Sequence, residues 1–597
     1  MQIIPSQNLT WTPCYTTLQC ALLTVPLDYS NPLSQHKAHI ALTLYPAQSS
    51  SSSSTKAPLL INPGGPGGSG TQFIHRLGPA IQAILGDDQP VIGFDPRGVG
   101  YSLPAADCWS PVLPCPGTTK TNRRRGEGEQ GGCGPQEDTF TGFAHRVEWM
   151  RDAMGIGGVR DRHSALLVGA RERAANRLCS TKDGLLPGRS ILGYAKTEDV
   201  VRDMVGIIDA WDRQRSEEAK TDGKLVYWGF SYGTYLGMTF ARMFPERVGR
   251  VMVDGVVDAE PYESDVWEGS LMDTDKVLGT FFEGCVASGR KCALFRVGDT
   301  AKDIQRRYER ILEGLEASPA TFTHPEYFFP VVLRPLDIRA IVFRVLYAPV
   351  AGFPLLAGVL NSVYEGRYEQ LSGLVQDLAL TCQLPGGGYI PGMDDAQRAI
   401  MCSDKRRPMN LTVEEIMGYY QRTAKVSGFA DIWMTAMLQC NGWDIYKTHP
   451  VTKAEPWTSE KKVETDFPVL FLSNTYDPVT PLQAAVKMAL KFKGAGLLEQ
   501  KAAGHCTLAV ASTCTAKRVR DYVLNGKVPP PPEVDGSDYL GGKWATCEAD
   551  GAPWGTEVVG MSAEDRKLVD AWETMGEVIG EVNGWGVGKR LNLNRMR

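Results

Sequence analysis

Short runs of apolar residues recur along the chain, separated by stretches in which apolar residues have helical spacing. Such runs are typical of strands buried on both faces of a sheet. They are Pro58–Asn62, Val91–Asp95, Leu225–Trp228, Val251–Asp254 and Pro468–Leu472, preceded by two candidate strands at Ala21–Tyr29 and His39–Tyr45. Asp199–Trp211 has the helical period and leads into the third run. This alternation predicts an α/β fold with a mostly parallel sheet flanked by helices.

Two intervals interrupt the alternation. Residues from about 104 to 190 are rich in Gly, Pro, Arg and Cys, which predicts an irregular insertion. Residues from about 260 to 460 have a mostly helical pattern and few buried-strand runs. We therefore expect a core formed by residues 1–259 and 461–597, with a mainly helical cap at 260–460 inserted between its fourth and fifth buried strands. Two more helices are predicted near Thr515–Tyr522 and Ala563–Ile579.

The pentapeptide Gly229–Gly233 places Ser231 between two glycines, directly after a predicted buried strand and before a segment that can form a helix. A serine hydroxyl is a poor nucleophile at neutral pH and must be held beside a base. A sharp strand-to-helix turn presents such a serine, and small flanking residues let the turn close. The pentapeptide alone recurs by chance, so its interpretation depends on partners elsewhere in the chain.

A candidate acid and a candidate base follow Ser231 in the chain. Asp477 comes directly after the fifth buried run, and His505 is the one histidine that follows Asp477 among the eight in the sequence. The order Ser, Asp, His is that of the α/β-hydrolases. Asp466 is the alternative acid, but it precedes the strand instead of following it. The predicted catalytic residues are therefore Ser231, Asp477 and His505.

A glycine-rich segment, Asn62–Gly70, follows the first buried run. Acyl transfer needs two N–H donors for the oxyanion, usually one after the nucleophile and one from such a loop. We expect these donors to be Tyr232 and Gly65, with Gly64 as the alternative to Gly65. The segment also fits the dinucleotide pattern G-x-G-x-x-G, with Asp95 near the position of a ribose-binding acid. A proline within the turn and the lack of an obvious helix directly after it disfavour that alternative.

Composition narrows the range of partners. A net charge of −5 gives no reason to expect nucleic acid or an anionic membrane. No apolar stretch is long enough to predict a membrane-spanning helix. The fourteen cysteines include five near pairs, Cys14/Cys20, Cys108/Cys115, Cys285/Cys292, Cys382/Cys402 and Cys506/Cys514. No C-x-x-C occurs, so a zinc site is not expected. We expect a small-molecule or short-peptide substrate and no cofactor or metal, while the oligomeric state stays open.

The N-terminus has no signal-peptide pattern, which favours the cytoplasm, but the cysteine pairs are compatible with a secretory compartment.

Several segments together resemble the tripeptidyl aminopeptidase-like and prolyl aminopeptidase-like hydrolases. They are Val25–Tyr29, Gly64–Gly70, Asp95–Ser102, Trp228–Gly237, Val253–Asp258, Ala399–Asp404 and the stretch from Tyr476 through His505 to Cys547. The resemblance spans most of the chain, except chiefly the 104–190 insertion and the far C-terminus. It implies an α/β-hydrolase core, a helical cap, a TAP-like C-terminal domain and release of residues or short peptides from free N-termini.

Relatives of this kind position the substrate amine with acidic residues near the cap. Asp258, Glu260 and Asp404 are the candidates by location. An alternative function is that of an esterase, lactonase or thioesterase for a small hydrophobic metabolite, with aromatic residues such as Trp267, Phe353 or Trp433 lining its pocket. A more remote alternative is a non-catalytic binding protein. The sequence favours a serine hydrolase, and within that class an exopeptidase.

Overall fold

The computed structural model describes residues 3–48, 56–72, 74–113, 136–137, 139–153, 156–215, 221–264, 267–324, 329–371, 393–446, 456–536, 538–555 and 560–582. The strands are β1 (Thr12–Cys14), β2 (Leu18–Pro26), β3 (Lys37–Tyr45), β4 (Leu59–Asn62), β5 (Val91–Phe94), β6 (Val112–Leu113), β7 (Gln136–Glu137), β8 (Leu225–Phe230), β9 (Val248–Asp254), β10 (Ala320–His324), β11 (Phe329–Leu333), β12 (Leu470–Tyr476), β13 (Gly496–Ala503), β14 (Glu533–Asp535), β15 (Asp538–Lys543) and β16 (Ala545–Glu548).

Helices cover much of the remaining chain. They are α1 (Ile74–Leu85), α2 (Thr139–Ala153), α3 (Arg162–Leu185), α4 (Thr197–Asp212), α5 (Tyr232–Met243), α6 (Ala259–Ser264), α7 (Thr274–Ser288), α8 (Ala301–Ala317), α9 (Pro335–Val345), α10 (Pro349–Tyr364), α11 (Met393–Ser403), α12 (Val413–Ala424), α13 (Ala430–Met437), α14 (Leu482–Ala489), α15 (Thr513–Asn525) and α16 (Ala563–Val582). No helix within these described segments is both long and apolar enough to cross a lipid bilayer.

The main sheet has ten strands in the order β1-β2-β3-β5-β4-β8-β9-β12-β13-β16. Strands β1, β2, β3 and β5 pair antiparallel, and every pair from β5 through β4 to β16 is parallel. The central strands are buried along most of their length, as the runs of apolar residues predicted. The predicted α/β class with a mostly parallel sheet is therefore confirmed.

The sheet order explains why distant segments meet. Along parallel neighbours, Asn62 lies opposite Gly229 and Phe230 lies opposite Asp254. Strand β12 then pairs with β9 on one side and with β13 on the other. The loops that follow β4, β8, β9, β12 and β13 therefore leave the sheet at one edge, where α/β proteins commonly bind ligands.

The chain between β9 and β12 leaves the sheet and returns to the neighbouring position. Its first part, α7 to α10, has an apolar core of its own that includes Phe281, Leu294, Ile338 and Phe353. Its second part, α11 to α13, packs through residues such as Ile400 onto the apolar core of the sheet domain. The insertion thus consists of a helical layer with its own apolar core and of helices that pack against the sheet domain. The predicted boundaries of the cap remain a prediction.

The interval 104–190, predicted to be irregular, contains two helices, α2 and α3, and this corrects the expectation. Helix α3 has 24 residues and begins at a capping box in which Asp161 accepts from the backbone of Ser164. Its buried face is built from small residues such as Ala165 and Ala175, so the apolar period was too weak to detect. Cys179 on this helix forms a disulfide with Cys108.

Five disulfides occur within the described residues. They are Cys14–Cys20, Cys108–Cys179, Cys285–Cys292, Cys402–Cys440 and Cys514–Cys547. Cys14–Cys20 and Cys285–Cys292 are two of the five near pairs in the sequence. The other three near pairs are not bonded, because Cys108, Cys402 and Cys514 pair with residues 71, 38 and 33 positions away, which the fold brings beside them. Cys506 is a buried free thiol. Cys115, Cys133 and Cys382 lie outside the described residues.

Candidate active site

Ser231 lies at the turn between β8 and α5, and its backbone has φ 55° and ψ −123°. A non-glycine residue adopts such a positive φ only when its surroundings enforce it. Here the Ser231 N–H donates to the carbonyl of Asp254 over 2.9 Å. A Cβ at Gly229 would stand 2.3 Å from the Gly233 carbonyl oxygen, and one at Gly233 would stand 2.8 Å from the Asn62 carbonyl oxygen. Both flanking glycines are therefore required for the turn to close.

Asp477 and His505 meet at the carboxyl edge of β12 and β13. Nδ1 of His505 lies 2.8 and 2.9 Å from the two carboxylate oxygens of Asp477, and both side chains are buried. Asp477 also accepts backbone N–H groups from Val479, Thr480 and Cys506. A carboxylate facing Nδ1 favours the tautomer with the proton there, which leaves Nε2 as the ring atom that can accept a proton. Asp466, the alternative acid, instead forms an exposed ion pair with Lys224.

Asp254 connects the serine turn with the histidine loop, a role that is not predicted from its sequence context. Its carboxylate accepts the N–H and hydroxyl of Thr507 at 2.7 and 2.6 Å. Its backbone carbonyl accepts from Ser231 N–H and, at 3.3 Å, from the thiol of Cys506. Burial raises the pKa of Asp254 to about 6, against the lowering effect of the Thr507 hydrogen bonds. In the sequence, the one indication of this role is that Asp254 comes at the end of a predicted buried strand.

The glycine-rich segment after β4 lies against the serine turn. A Cβ on Gly64 would be 2.9 Å from Ser231 Cβ and 3.3 Å from the backbone nitrogen of Tyr232. The Gly64 N–H already donates to Asn62 Oδ1 over 3.0 Å. Gly65 lines the same cavity as Ser231 and Tyr232. This arrangement favours Gly65 over Gly64 as the loop donor, with Tyr232 N–H, the first of α5, as the other.

Asp95 holds the end of this segment through hydrogen bonds. Its two carboxylate oxygens accept the Ser69 hydroxyl, the N–H and hydroxyl of Thr71 and the N–H of Tyr101 at 2.7 to 3.0 Å, and its side chain is fully buried. Each oxygen thus already has two donors, and neither is accessible to a ribose. The interpretation of the segment as a dinucleotide site is therefore disfavoured by the structure as well as by the sequence.

A cavity of about 720 Å³ opens at Ser231 between the sheet edge and the cap. Its wall contains many aromatic rings: Tyr232, Tyr262, Trp267, Phe343, Tyr347, Trp433 and Tyr539. The Trp267 ring stacks on Tyr262 with centroids 5.2 Å apart, and the Tyr347 ring lies 5.1 Å from that of His505. The indole N–H of Trp433 donates to the backbone of Trp267.

Of the aromatic residues suggested from the sequence, Trp267 and Trp433 line this cavity. Phe353 does not line it. This residue is buried in the apolar core of the cap, where its ring centroid lies 5.2 Å from that of Phe281. The expectation for Phe353 is corrected, since a buried helix face and a pocket wall have the same apolar pattern in sequence.

The charged residues of the described cavity wall are Asp258, Glu260 and Lys487. Lys487 Nζ lies 3.1 and 2.9 Å from the two oxygens of Asp258 and 2.8 Å from Glu260 Oε2. Two of the three acidic candidates from the sequence are therefore at the cavity, and both contact a lysine that no motif predicts.

Asp404, the third acidic candidate, does not line the cavity. Its carboxylate accepts the N–H and hydroxyl of Thr197, each at 2.7 Å, and the hydroxyl of Tyr262 at 2.9 Å. Thr197 also contacts the hydroxyl of Tyr232 at 2.5 Å. Burial raises the pKa of Asp404 to about 7. Asp404 therefore supports two rings of the wall from behind, and this corrects its expected contact with a substrate amine.

Asp477, His505 and Cys506 place potential metal-ligand atoms within 4.8 Å of one another. A thiol binds a metal as thiolate, but burial raises the pKa of Cys506 well above its ordinary value. Nδ1 of His505 also already faces Asp477. The chemistry of this set therefore favours an acid–base pair over a metal site.

Two segments of the chain match known families. Residues 57–159 match the alpha/beta hydrolase fold family, and residues 424–535 match the family described as TAP-like protein. The chain is a serine hydrolase of the α/β-hydrolase class with a TAP-like segment, which confirms the resemblance predicted from its motifs.

Its similarity to curated proteins extends over most of the chain. It is 26% identical to tripeptidyl aminopeptidase of Streptomyces lividans over 517 residues, which cover 85% of this chain and 82% of the relative. It is 25% identical to serine protease Hip1 of Mycobacterium bovis over 543 residues, covering 88% and 90%. It is also 25% identical to carboxylesterase B of Mycobacterium tuberculosis over 523 residues, covering 86% and 85%.

Proposed function

We propose that Ser231 is the nucleophile, His505 the general base and Asp477 the residue that orients the histidine. Ser231 attacks the carbonyl carbon of the substrate while His505 takes the hydroxyl proton, and the proton then passes to the leaving group. The N–H groups of Tyr232 and Gly65 stabilise the oxyanion. Water, activated by His505, then releases the acyl group from Ser231.

We further propose that the substrate is a peptide with a free N-terminus, from which the protein releases a residue or short peptide. The observation that carries this proposal is the acidic pair Asp258 and Glu260 in the wall of the cavity that also contains Ser231. Together with Lys487 the pair has a net formal charge of −1, which attracts an ammonium group. The cavity volume of about 720 Å³ is in the range of sites that enclose small ligands. The names of two relatives, tripeptidyl aminopeptidase and serine protease, agree with this proposal.

The test compares a tripeptide amide that has a free N-terminus and a fluorogenic leaving group with its N-acetylated twin. We expect cleavage of the free form at a kcat/KM at least tenfold above that of the twin, and no cleavage by Ser231→Ala. Equal rates for the two forms would refute the amine-recognition proposal. Undiminished cleavage by Ser231→Ala would refute the catalytic assignment.

A second candidate function is hydrolysis of an ester, lactone or thioester with a bulky apolar acyl group. It is favoured by the aromatic wall, in which the polar atoms of Tyr262 and Trp433 bond to protein groups, and by the relative named carboxylesterase B. Under this alternative, neither peptide form is cleaved, while an aryl ester with an aromatic acyl group is hydrolysed in a Ser231-dependent way.

A further inference from the structure

Three charged side chains meet on the cavity wall, and one of them is an ammonium group of the protein itself. Lys487, in the last turn of α14, reaches across to Asp258, which follows β9, and to Glu260 in the first turn of α6. The three side chains are 22%, 26% and 34% exposed. All three also line the cavity, so they are accessible from it.

The contacts define what the cluster can bind. An ammonium group has three N–H donors, and Lys487 Nζ has three oxygens within 3.1 Å: both of Asp258 and Oε2 of Glu260. Its donors are therefore used by the carboxylates, which leaves none for an anionic ligand. The second oxygen of Glu260 has no hydrogen bond within the described residues. The cluster is thus an acceptor site, with one uncompensated negative charge.

The lysine is charged at neutral pH. Burial alone lowers the pKa of Lys487, but the hydrogen bonds and charges of Glu260 and Asp258 outweigh it and raise the pKa above its ordinary value. An ammonium group of a substrate that approaches the acidic pair therefore always meets a second positive charge a few ångströms away. The two cations repel each other and compete for the same oxygens.

We propose that Lys487 is a specificity-determining residue that occupies the position of a substrate ammonium and weakens the binding of free N-termini. This inference rests on the proposed function, because it assumes that Asp258 and Glu260 bind the substrate amine. A peptide amine enters either by sharing the pair with Lys487 or by displacing the flexible lysine side chain into solvent. In both cases the lysine sets how strongly a free N-terminus is preferred over a blocked one.

The test measures inhibition of p-nitrophenyl acetate hydrolysis by a free tripeptide and by its N-acetylated twin. The ester has no amine, so its turnover reports on the reacting groups, and the ratio of the two inhibition constants reports on amine recognition. For Lys487→Met we expect this ratio to rise about tenfold in favour of the free peptide, with both inhibition constants measured against the ester turnover of the variant itself. Lys487→Arg keeps the charge and should keep the wild-type ratio.

Lys491→Met is the matched control, because it makes the same change four residues later. Lys491 lies outside the cavity wall and contacts the Ser459 carbonyl. A ratio that is unchanged or lower in Lys487→Met overturns the inference, since the lysine would then be neutral to or required for amine binding. The proposed function fails in a different way: the wild type itself would bind the free and acetylated peptides equally well.

Discussion

Replacing Gly64 with alanine should damage catalysis while leaving the fold intact. Gly64 has φ +98°, a conformation that L side chains rarely adopt. An added Cβ would stand 2.5 Å from the carbonyl oxygen of Phe230 and 2.9 Å from Ser231 Cβ. Both distances are shorter than real Cβ atoms show, so the glycine loop or the serine turn must shift.

The size of the effect follows from these distances. To relieve the contact with Phe230, the glycine loop or the serine turn must move by ~1 Å. A misplacement of ~1 Å at a reacting group lowers the rate about 100-fold. The same shift displaces Tyr232 N–H or Gly65 N–H, and loss of one oxyanion donor is by itself measured as about 100-fold to 1000-fold in kcat, so the two figures describe one effect. We expect kcat to fall by about 100-fold to 1000-fold. The unfavourable φ adds a stability cost of about 1–3 kcal/mol.

The assay is the steady-state hydrolysis of p-nitrophenyl acetate, combined with thermal unfolding of the same samples. Gly314→Ala is the matched control. It lies within α8, and an added Cβ there has no atom within 4 Å. The control should keep the wild-type kcat. A Gly64→Ala protein with kcat within threefold of the wild type would refute the claim that this loop abuts the nucleophile and the oxyanion donors.

Three further substitutions test other parts of the account. Asp477→Asn should lower kcat by about 10⁴-fold at unchanged circular dichroism, because an amide no longer holds the required tautomer of His505; a loss under tenfold would contradict this role. Replacing Cys402 and Cys440 with serine opens a cross-link between residues 38 apart and should lower the urea-measured free energy of unfolding by about 4 kcal/mol; a change under about 1 kcal/mol would count against the bond. Burial raises the pKa of Asp404 in the folded protein to about 7. The protonated side chain therefore contributes stability that is fully present below the pKa of the unfolded state, about 4, and is lost as the pH rises through 7. The melting temperature of Asp404→Asn should therefore fall less over this range than that of the wild type, and parallel curves would be the contrary result.

Local patterns in the sequence were sufficient for the core of the fold. Short, wholly apolar runs identify strands covered on both faces, and β4, β5, β8 and β9 are such strands. The strand, turn and helix around Ser231 follow from the same pattern together with two glycines. Because parallel strands end at one edge, the order of motifs also placed Asp477 and His505 near each other, where the structure has them in contact.

The remaining features depend on tertiary contacts that no local pattern encodes. Asp404 follows a cap helix, but packing directs its carboxylate to Thr197 and Tyr262, away from the cavity. Lys487 is an ordinary helix residue in sequence and acquires its partners only because α14 packs beside Asp258. The long-range disulfide from Cys108 to α3 likewise required knowledge of which helix faces which loop.

The most direct test of the central claim is mass spectrometry of the protein after acid quenching of its reaction with a tripeptide methyl ester. We expect an acyl adduct on Ser231 that forms faster with a free N-terminus than with an acetylated one, and no adduct on Ser231→Ala. An adduct on another residue, or no adduct during active turnover, would contradict Ser231 as the nucleophile. Equal rates of adduct formation from the two esters would contradict recognition of the substrate amine.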